Sequence, residues 1–369
     1  LILGFDTLTT LPFAKLRYNE QPKRFAFVRI ANIVVSIGLN LFFLVACPIL
    51  SPKTALISSW YNPSFGIGYI FISNLTASAI TLALLLPELK QLKWNIDTPL
   101  LKKMLLYALP LIVVGLAGSI NEMLDRVILK YLLPYDPATN MAQLGIYGAC
   151  YKLSILMTLF TQAFKMGAEP FFFAQAKQKN APQTYVYITR YFTIVGLFIF
   201  LSVMLFLPII KHFIGTNYHQ GLAIVPILLL ANLCLGIYYN VAIWYKLTNK
   251  TALGAAISMF GALVTIVLNL IWIPTMGYMG SAWATLVCYA AMMILSYIWG
   301  QQHYKIPYPL AAMAGYLLFA LFLWQLDVQW LSATTHKIPM LNYILKTMLL
   351  IVYLNTVWIV ERNTTSNQS

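Results

Sequence analysis

Apolar residues arrive in long unbroken runs, separated by short stretches where lysine, arginine, asparagine and proline collect. The runs cover 25–46, 64–86, 104–133, 144–173, 185–207, 221–245, 252–273, 278–299, 309–326 and 341–360, and residues 1–13 read as the end of another. A helix needs roughly 20 such residues to cross about 30 Å of hydrocarbon. No run alternates with period two, so each must close its backbone hydrogen bonds internally as an α-helix. The pattern predicts an all-α, polytopic membrane helix bundle of ten full spans.

The loops between the runs carry charge unevenly. Lys15, Arg17, Lys23 and Arg24, then Lys90, Lys93, Lys102 and Lys103, then Lys177 and Lys179, Lys246 and Lys250, Lys305 and Arg362 fall in alternate loops. The other set holds only Lys53, Lys211 and Lys337. Basic loops stay on the cytoplasmic side, so loops 14–24, 87–103, 174–184, 246–251, 300–308 and the C-terminus are predicted to be cytoplasmic. Composition agrees: 60% of the chain is hydrophobic and 9% charged, far from the roughly 25% charged of a soluble domain. The net charge of +14 is therefore a mark of topology, and no nucleic-acid partner is expected. The chain opens at Leu1 as if within a hydrophobic helix, and is expected to be an N-terminally truncated piece of a longer protein.

Candidate chemistry concentrates on two runs. The first, MLLYALPLIVVGLAGSINEMLDRVILKYLL from Met104, turns ionisable at Glu122, Asp125, Arg126 and Lys130. The second, from Leu144, carries Lys152, Lys165 and Glu169 before Pro170. A lone ion at the bilayer centre costs about 2.5–3.5 kcal/mol on the mildest scale, so these need partners or a wet cavity. Glu122 and Arg126, four apart, are spaced for an ion pair. An outer cluster of Glu122, Asp125, Arg126 and Lys152 is expected, and a second of Gln162, Lys165 and Glu169. Two roles stay open for them: a network that pins two helices, or the wall of a polar cavity. In the second, Arg126, Lys152 and Lys165 hold a phosphate or pyrophosphate, while Glu122, Asp125 or Glu169 binds H⁺ or Na⁺. Gly115 and Gly118 are expected to permit close helix approach, and Arg29 to anchor its helix at the interface.

Metal and covalent chemistry find little to work with. His212, His219, His303 and His336 lie in loops, and Cys47, Cys150, Cys234 and Cys288 lack paired spacing. No cofactor and no enzymatic activity are expected. An internal repeat is legible instead. LRYNEQPKRFAF from Leu16, running to Asn40 and then GIGYIFISNL from Gly66, matches YKLTNKTALG from Tyr245, running to Asn269 and then GYMGSAWATL from Gly277. Six spans separate the copies, so they point the same way, as in transporters built from parallel halves.

Together, Asp125-Arg126, the stretch LGIYGACYKLSILMTLFTQAFKMGAEPFFF from Leu144, WYKLTNKT from Trp244 and GYMGSAWAT from Gly277 carry a resemblance. In these the chain resembles the polysaccharide-flippase branch of the multidrug/oligosaccharidyl-lipid/polysaccharide exporter superfamily, the bacterial O-antigen and capsule flippases. The resemblance implies a MATE-like two-lobe fold of fourteen helices. Residues 1–103 would be a remnant of the N-lobe, 104–300 the C-lobe, and 301–369 two additional helices with a tail. It implies passage of undecaprenyl-pyrophosphate-linked oligosaccharide repeat units across the inner (plasma) membrane by alternating access. A monomer is expected, with H⁺ or Na⁺ as coupling ion. Arg126, Lys152 and Lys165 would then face the anionic head group. A cation-coupled multidrug exporter and a lipid II flippase of the same plan are the alternatives.

Overall fold

A computed structural model describes residues 1–51, 54, 59, 61–90, 97–176, 178, 180–331 and 339–366. Lys53, Trp60, Lys93, Trp94, Lys177, Lys179, His336 and Lys337 lie outside the described residues. All regular structure among the described residues is helical. Among the described residues eight helices are long and apolar enough to cross a membrane, nine if one bent pair is a single span. The chain is a multi-pass helical membrane protein. The remaining expected span is the 17-residue apolar helix Gly68–Leu84. Two compact units form, Leu1–Asp97 and Thr98–Ser369.

The first unit holds α1 (Ile2–Tyr18), α2 (Pro22–Leu41) and α3 (Gly68–Leu84). Beyond Leu41 the axis of α2 continues through a wide turn at Phe42–Ala46 into Cys47–Leu50, giving a 29-residue span. Pro48 accounts for the wide turn: its ring would clash with the carbonyl four residues back in a regular helix. Helix α1 runs through Lys15 and Arg17, so the expected 14–24 loop shrinks to residues 19–21.

The second unit opens with α4 (Thr98–Leu132), which begins six residues before the apolar run and carries Lys102 and Lys103 on its first turns. Next come α5 (Pro137–Leu153) and α6 (Ile155–Gln175), set 55° apart at Ser154. The sequence reading made this one straight span from 144; the structure corrects both its start and its shape. Asp136 caps α5, taking hydrogen bonds from the Ala138 and Thr139 amides (3.1 Å each) and the Thr139 hydroxyl (2.6 Å). The Thr139 hydroxyl and amide hold the Asp136 carboxyl below its usual range. At the break, the Ser154 hydroxyl donates to the Tyr151 carbonyl at 2.7 Å, a local bond that competes with the helical ladder.

Helices α7 (Ala181–Leu205), α8 (Val225–Val241), α9 (Thr251–Met276), α10 (Tyr278–His303), α11 (Leu310–Leu326) and α12 (Pro339–Ser366) complete the unit. Helix α7 is central: 67% of its most apolar stretch is buried, and Phe192, Leu197 and Phe200 are enclosed. It packs on α6, α8, α11 and α12, while α4 lies along α9 and α10 bridges α9 to α8.

The repeat recurs in backbone geometry. Every residue with φ between +20° and +160° among those described is Glu20, Gly66, Asn249 or Gly277. Glu20 and Asn249 sit two residues before Pro22 and Thr251, the first residues of α2 and α9. Their turns close alike, with Gln21 N–H on the Leu16 carbonyl (3.0 Å) and Lys250 N–H on the Tyr245 carbonyl (2.8 Å). Gly66 and Gly277 then precede the next helices, where the absence of a Cβ allows the left-handed backbone.

Two buried ion pairs, which the sequence reading did not foresee, fasten the last helices to this frame. Arg190 of α7 lies 2.6 Å from Glu361 of α12, and the Tyr316 hydroxyl of α11 donates to the same carboxylate. Further along, Lys346 meets Asp327 at 3.3 Å. Breaking a buried pair by removing one partner costs about 3–5 kcal/mol, whereas apolar replacement of both is near neutral. Arg190→Met and Glu361→Met should each lower the thermal midpoint of the detergent-solubilised protein sharply, and the double variant should regain most of the loss. Single variants that melt with the parent would show the pair to be a passive contact.

Candidate functional site

Two adjoining cavities of about 240 Å³ each open within the second unit. Both are walled by Val114 and Gly115 of α4, Lys165 of α6, and Tyr238 and Tyr239 of α8. One extends toward the start of α4, past Glu169 and Lys246. The other extends the opposite way, past Gly118 and Glu122 to Gln162 and Tyr289. Sharing these walls, they lie along α4 and α6 as one cleft, mostly apolar, with charged side chains set into its wall. Gly115 and Gly118 widen it: no atom lies within 4 Å of where a Cβ on either would stand. The expectation that these glycines draw helices together is overturned.

Lys165 stands at the middle. Its ammonium sits 4.0 Å from the centre of the Tyr239 ring and within charge–charge reach of Lys246, Glu169 and Glu122. No carboxylate lies within 4.0 Å of it among the described residues, and its side chain lines both cavities. Glu169 is engaged by Lys246, at 2.5 Å. The expected cluster of Gln162, Lys165 and Glu169 is thus brought together, joined by Glu122 from the other expected group.

That other group does not assemble. Helix α4 presents two different faces four residues apart in register. Ala117, Asn121, Asp125 and Leu129 are buried, while Gly118 and Glu122 are open. Asp125, 1% exposed, accepts a hydrogen bond from the Tyr147 hydroxyl at 2.6 Å. Arg126 is half-buried; its guanidinium lies 4.6 Å over the Tyr151 ring and donates to the Glu122 carbonyl at 2.9 Å. The predicted Glu122–Arg126 ion pair is absent among the described residues, replaced by this backbone bond. Lys152 is exposed and lines neither cavity.

Asp125 has buried polar company instead. The Thr265 hydroxyl of α9 donates to Asn121 at 3.0 Å. Helices α4 and α9 run parallel: Gly261 lies against Asn121, and Gly277 against Leu133. One turn beyond the Asn121–Thr265 bond, Asp125 is therefore level with Asn269, whose Oδ1 is buried and unpartnered. The Ser281 hydroxyl, also buried, lies beside the Tyr147 hydroxyl. A carboxylate with oxygens of this kind nearby suits a small cation or a proton.

Sequence reasoning missed Lys246, which it assigned to a loop, because helix actually continues to Leu247. It missed Asn121, Thr265 and Tyr239 because uncharged polar residues in apolar runs give no charge signal. No family model, curated protein or solved structure matches the chain.

If the cleft is aqueous, cysteines placed on it should react with a water-soluble maleimide. With the four native cysteines replaced, Gly115→Cys, Gln162→Cys and Glu169→Cys should label at least tenfold faster than Ala117→Cys or Leu129→Cys. Equal rates on the two faces of α4 would contradict the geometry.

Proposed function

We propose that the chain is part of a flippase for lipid-linked oligosaccharides, moving undecaprenyl-pyrophosphate-bound sugars across the bacterial inner membrane by alternating access. The observation that carries this reading is Lys165: an ammonium with uncommitted donors on a tyrosine face, inside a membrane-embedded cleft. A phosphate oxygen is the natural partner for such a point charge. Lys246 adds positive field from across the cleft while engaged with Glu169. The motifs beginning at Leu144, Trp244 and Gly277 favour the MATE-like two-lobe plan, with this unit as C-lobe and the basic loops cytoplasmic.

Transport of this kind needs no covalent step, only differential stabilisation of inward- and outward-open states. The 55° bend at Ser154 is the joint about which α5 and α6 change angle. Arg126 and Lys152, off the cleft wall here, meet the head group only as that joint moves. Glu122, exposed in the cleft, and buried Asp125 are the sites for H⁺ or Na⁺, and Glu169 answers to Lys246. The tyrosine-rich wall also favours a second reading, a cation-coupled drug exporter, since aromatic faces attract organic cations. Lys165 and Lys246 oppose that reading.

A hydrogen bond to a charged group contributes about 1.5–3 kcal/mol, roughly ten- to a hundredfold in affinity. Lys165→Gln in the full-length protein should cut surface polysaccharide at least tenfold at normal membrane levels, with Lys165→Arg partly active. Full activity in Lys165→Gln, or new export of an organic cation by it, would transfer support to the exporter. Glu122→Gln should abolish dependence of transport on the proton or sodium gradient; dependence retained there and lost in Asp125→Asn assigns coupling to the buried carboxylate.

A further inference from the structure

A third cavity of the second unit, about 350 Å³, opens at the end away from Lys246, between the α4–α5 and α9–α10 turns. Its lining includes Tyr135, Gln143, Thr275 and Tyr278. Among the described residues it shares no lining side chain with the cleft at Lys165. By the basic-loop reading this is the extracytoplasmic end.

What lies beneath the cavity decides its use. Residues four apart on a helix stand one above the other on the same face. Gln143 and Ile273 line the cavity, and one turn inward from them are Tyr147 on α5 and Asn269 on α9. Gly277 lines it too, and one turn inward is Ser281 on α10. On α4 the lining residue is Leu133, followed inward by Leu129 and then Asp125. Four helices thus each place one buried polar side chain under the same floor. Leu129 and Ile273, both fully buried, fill the space around them and leave no room for a water column that bypasses the hydroxyls.

The direction of the hydrogen bonds selects what passes. The Tyr147 hydroxyl donates to Asp125 Oδ2 at 2.6 Å and the Arg126 amide to Oδ1 at 2.7 Å. A metal ion would meet the hydroxyl hydrogen of Tyr147 on its way to the carboxylate, whereas a proton travels along it. The Tyr147 oxygen keeps a lone pair for the Ser281 hydroxyl beside it. Side chains on a helix lean toward its N-terminus, so Ser281, near the start of α10, leans toward the cavity. The ionisable groups facing Asp125 are Glu122 and Arg126 on α4 and Tyr147 on α5, with Tyr151 beyond. Uncharged Asn269 and Ser281 face it from α9 and α10. We infer that the cavity between α4, α5, α9 and α10 is the entry through which Asp125 takes up a proton from the extracytoplasmic side, relayed by Ser281 and Tyr147. A hydronium ion in the cavity gives its proton to Ser281 Oγ and is left as water. Ser281 passes its own hydroxyl proton to Tyr147, and Tyr147 passes its own to Asp125 Oδ2. Both hydroxyls end neutral, and the carboxylate becomes a carboxylic acid. Release runs the same steps backward. The inference rests on the reading of Asp125 as a coupling site, and adds the side from which it loads and the residues that carry the proton.

The test is time-resolved infrared spectroscopy after photorelease of protons, on the full-length protein in lipid nanodiscs. It follows the carbonyl stretch of a protonated carboxyl, assigned to Asp125 by its loss in Asp125→Asn. In the parent the band should rise as the pH falls. Its rate should drop at least tenfold in Tyr147→Phe and Ser281→Ala, which lack a relaying hydroxyl. Thr275→Trp should slow it equally, because it fills the cavity from an exposed position and touches none of the buried groups. Gly118→Trp, which fills the cleft and should stop transport, is expected to leave this rate unchanged. If Tyr147→Phe fails to fold, Ser281→Ala and Thr275→Trp decide. No Asp125 band in the parent, parental rates in Ser281→Ala and Thr275→Trp, or slowing confined to Gly118→Trp would each overturn the inference. The readout involves no sugar and no carrier lipid. The flippase reading is tested separately, by surface polysaccharide in Lys165→Gln, and either can fail while the other holds.

Discussion

An ammonium group inside a membrane helix bundle has to be stabilised by something, and the structure at Lys165 depends on how. Its cost at the bilayer centre is about 2.5–3.5 kcal/mol at the least. The face of Tyr239, 4.0 Å away, returns about 0.5–2 kcal/mol. The nearest acid, Glu169, is already committed to Lys246. The balance has to come from water or from an anionic ligand, and the open gap beside α4 and α6 can admit either. Asp125 follows the opposite strategy: it is enclosed, and its charge or proton is settled by Tyr147 and the Arg126 amide (2.7 Å).

Around these groups the second unit is tied together by buried polar contacts. Helix α7, clasped to α11 and α12 by Arg190, Tyr316 and Glu361, cannot slide without stranding a buried charge. The parallel pair α4 and α9 is locked by Asn121 and Thr265. Between them α5 and α6 meet at Ser154, where a side chain replaces a rung of the ladder. The recurrence of left-handed turns at Glu20 and Asn249 shows the same helix–turn–helix device used in both units.

The architecture was largely legible because a bilayer imposes one rule on every span: bury the backbone, expose apolar side chains. The periodicity of basic loops and apolar runs follows from that rule, and so does the helix count. Helix ends were misplaced wherever a helix runs past the hydrocarbon, as α4 does at Thr98 and α5 at Pro137. The bend at Ser154 carries no glycine or proline and left no mark in the pattern. Of the six ionisable residues singled out, Lys165, Glu169 and Glu122 meet on the cleft, while Arg126, Lys152 and Asp125 do not line it. Level along a helix did not separate the two expected clusters, since Glu122 joins Lys165 on the cleft. Azimuth was not legible, since residues three and four apart share a face only loosely, and Asp125 turns inward while Glu122 turns out. Asn40 and Asn269 are legible in the sequence only as markers of the repeat, and Asn121 and Thr265 give no signal because serine, threonine and asparagine are common in membrane helices.

The most direct measurement is a cryo-electron microscopy structure of the full-length protein with an undecaprenyl-pyrophosphate sugar in the bilayer. The account predicts a phosphate oxygen at about 2.7–3.2 Å from Lys165 Nζ, within the cleft bounded by α4, α6 and α8. Pyrophosphate bound elsewhere, with Lys165 still resting on Tyr239 and the cleft empty, would contradict it.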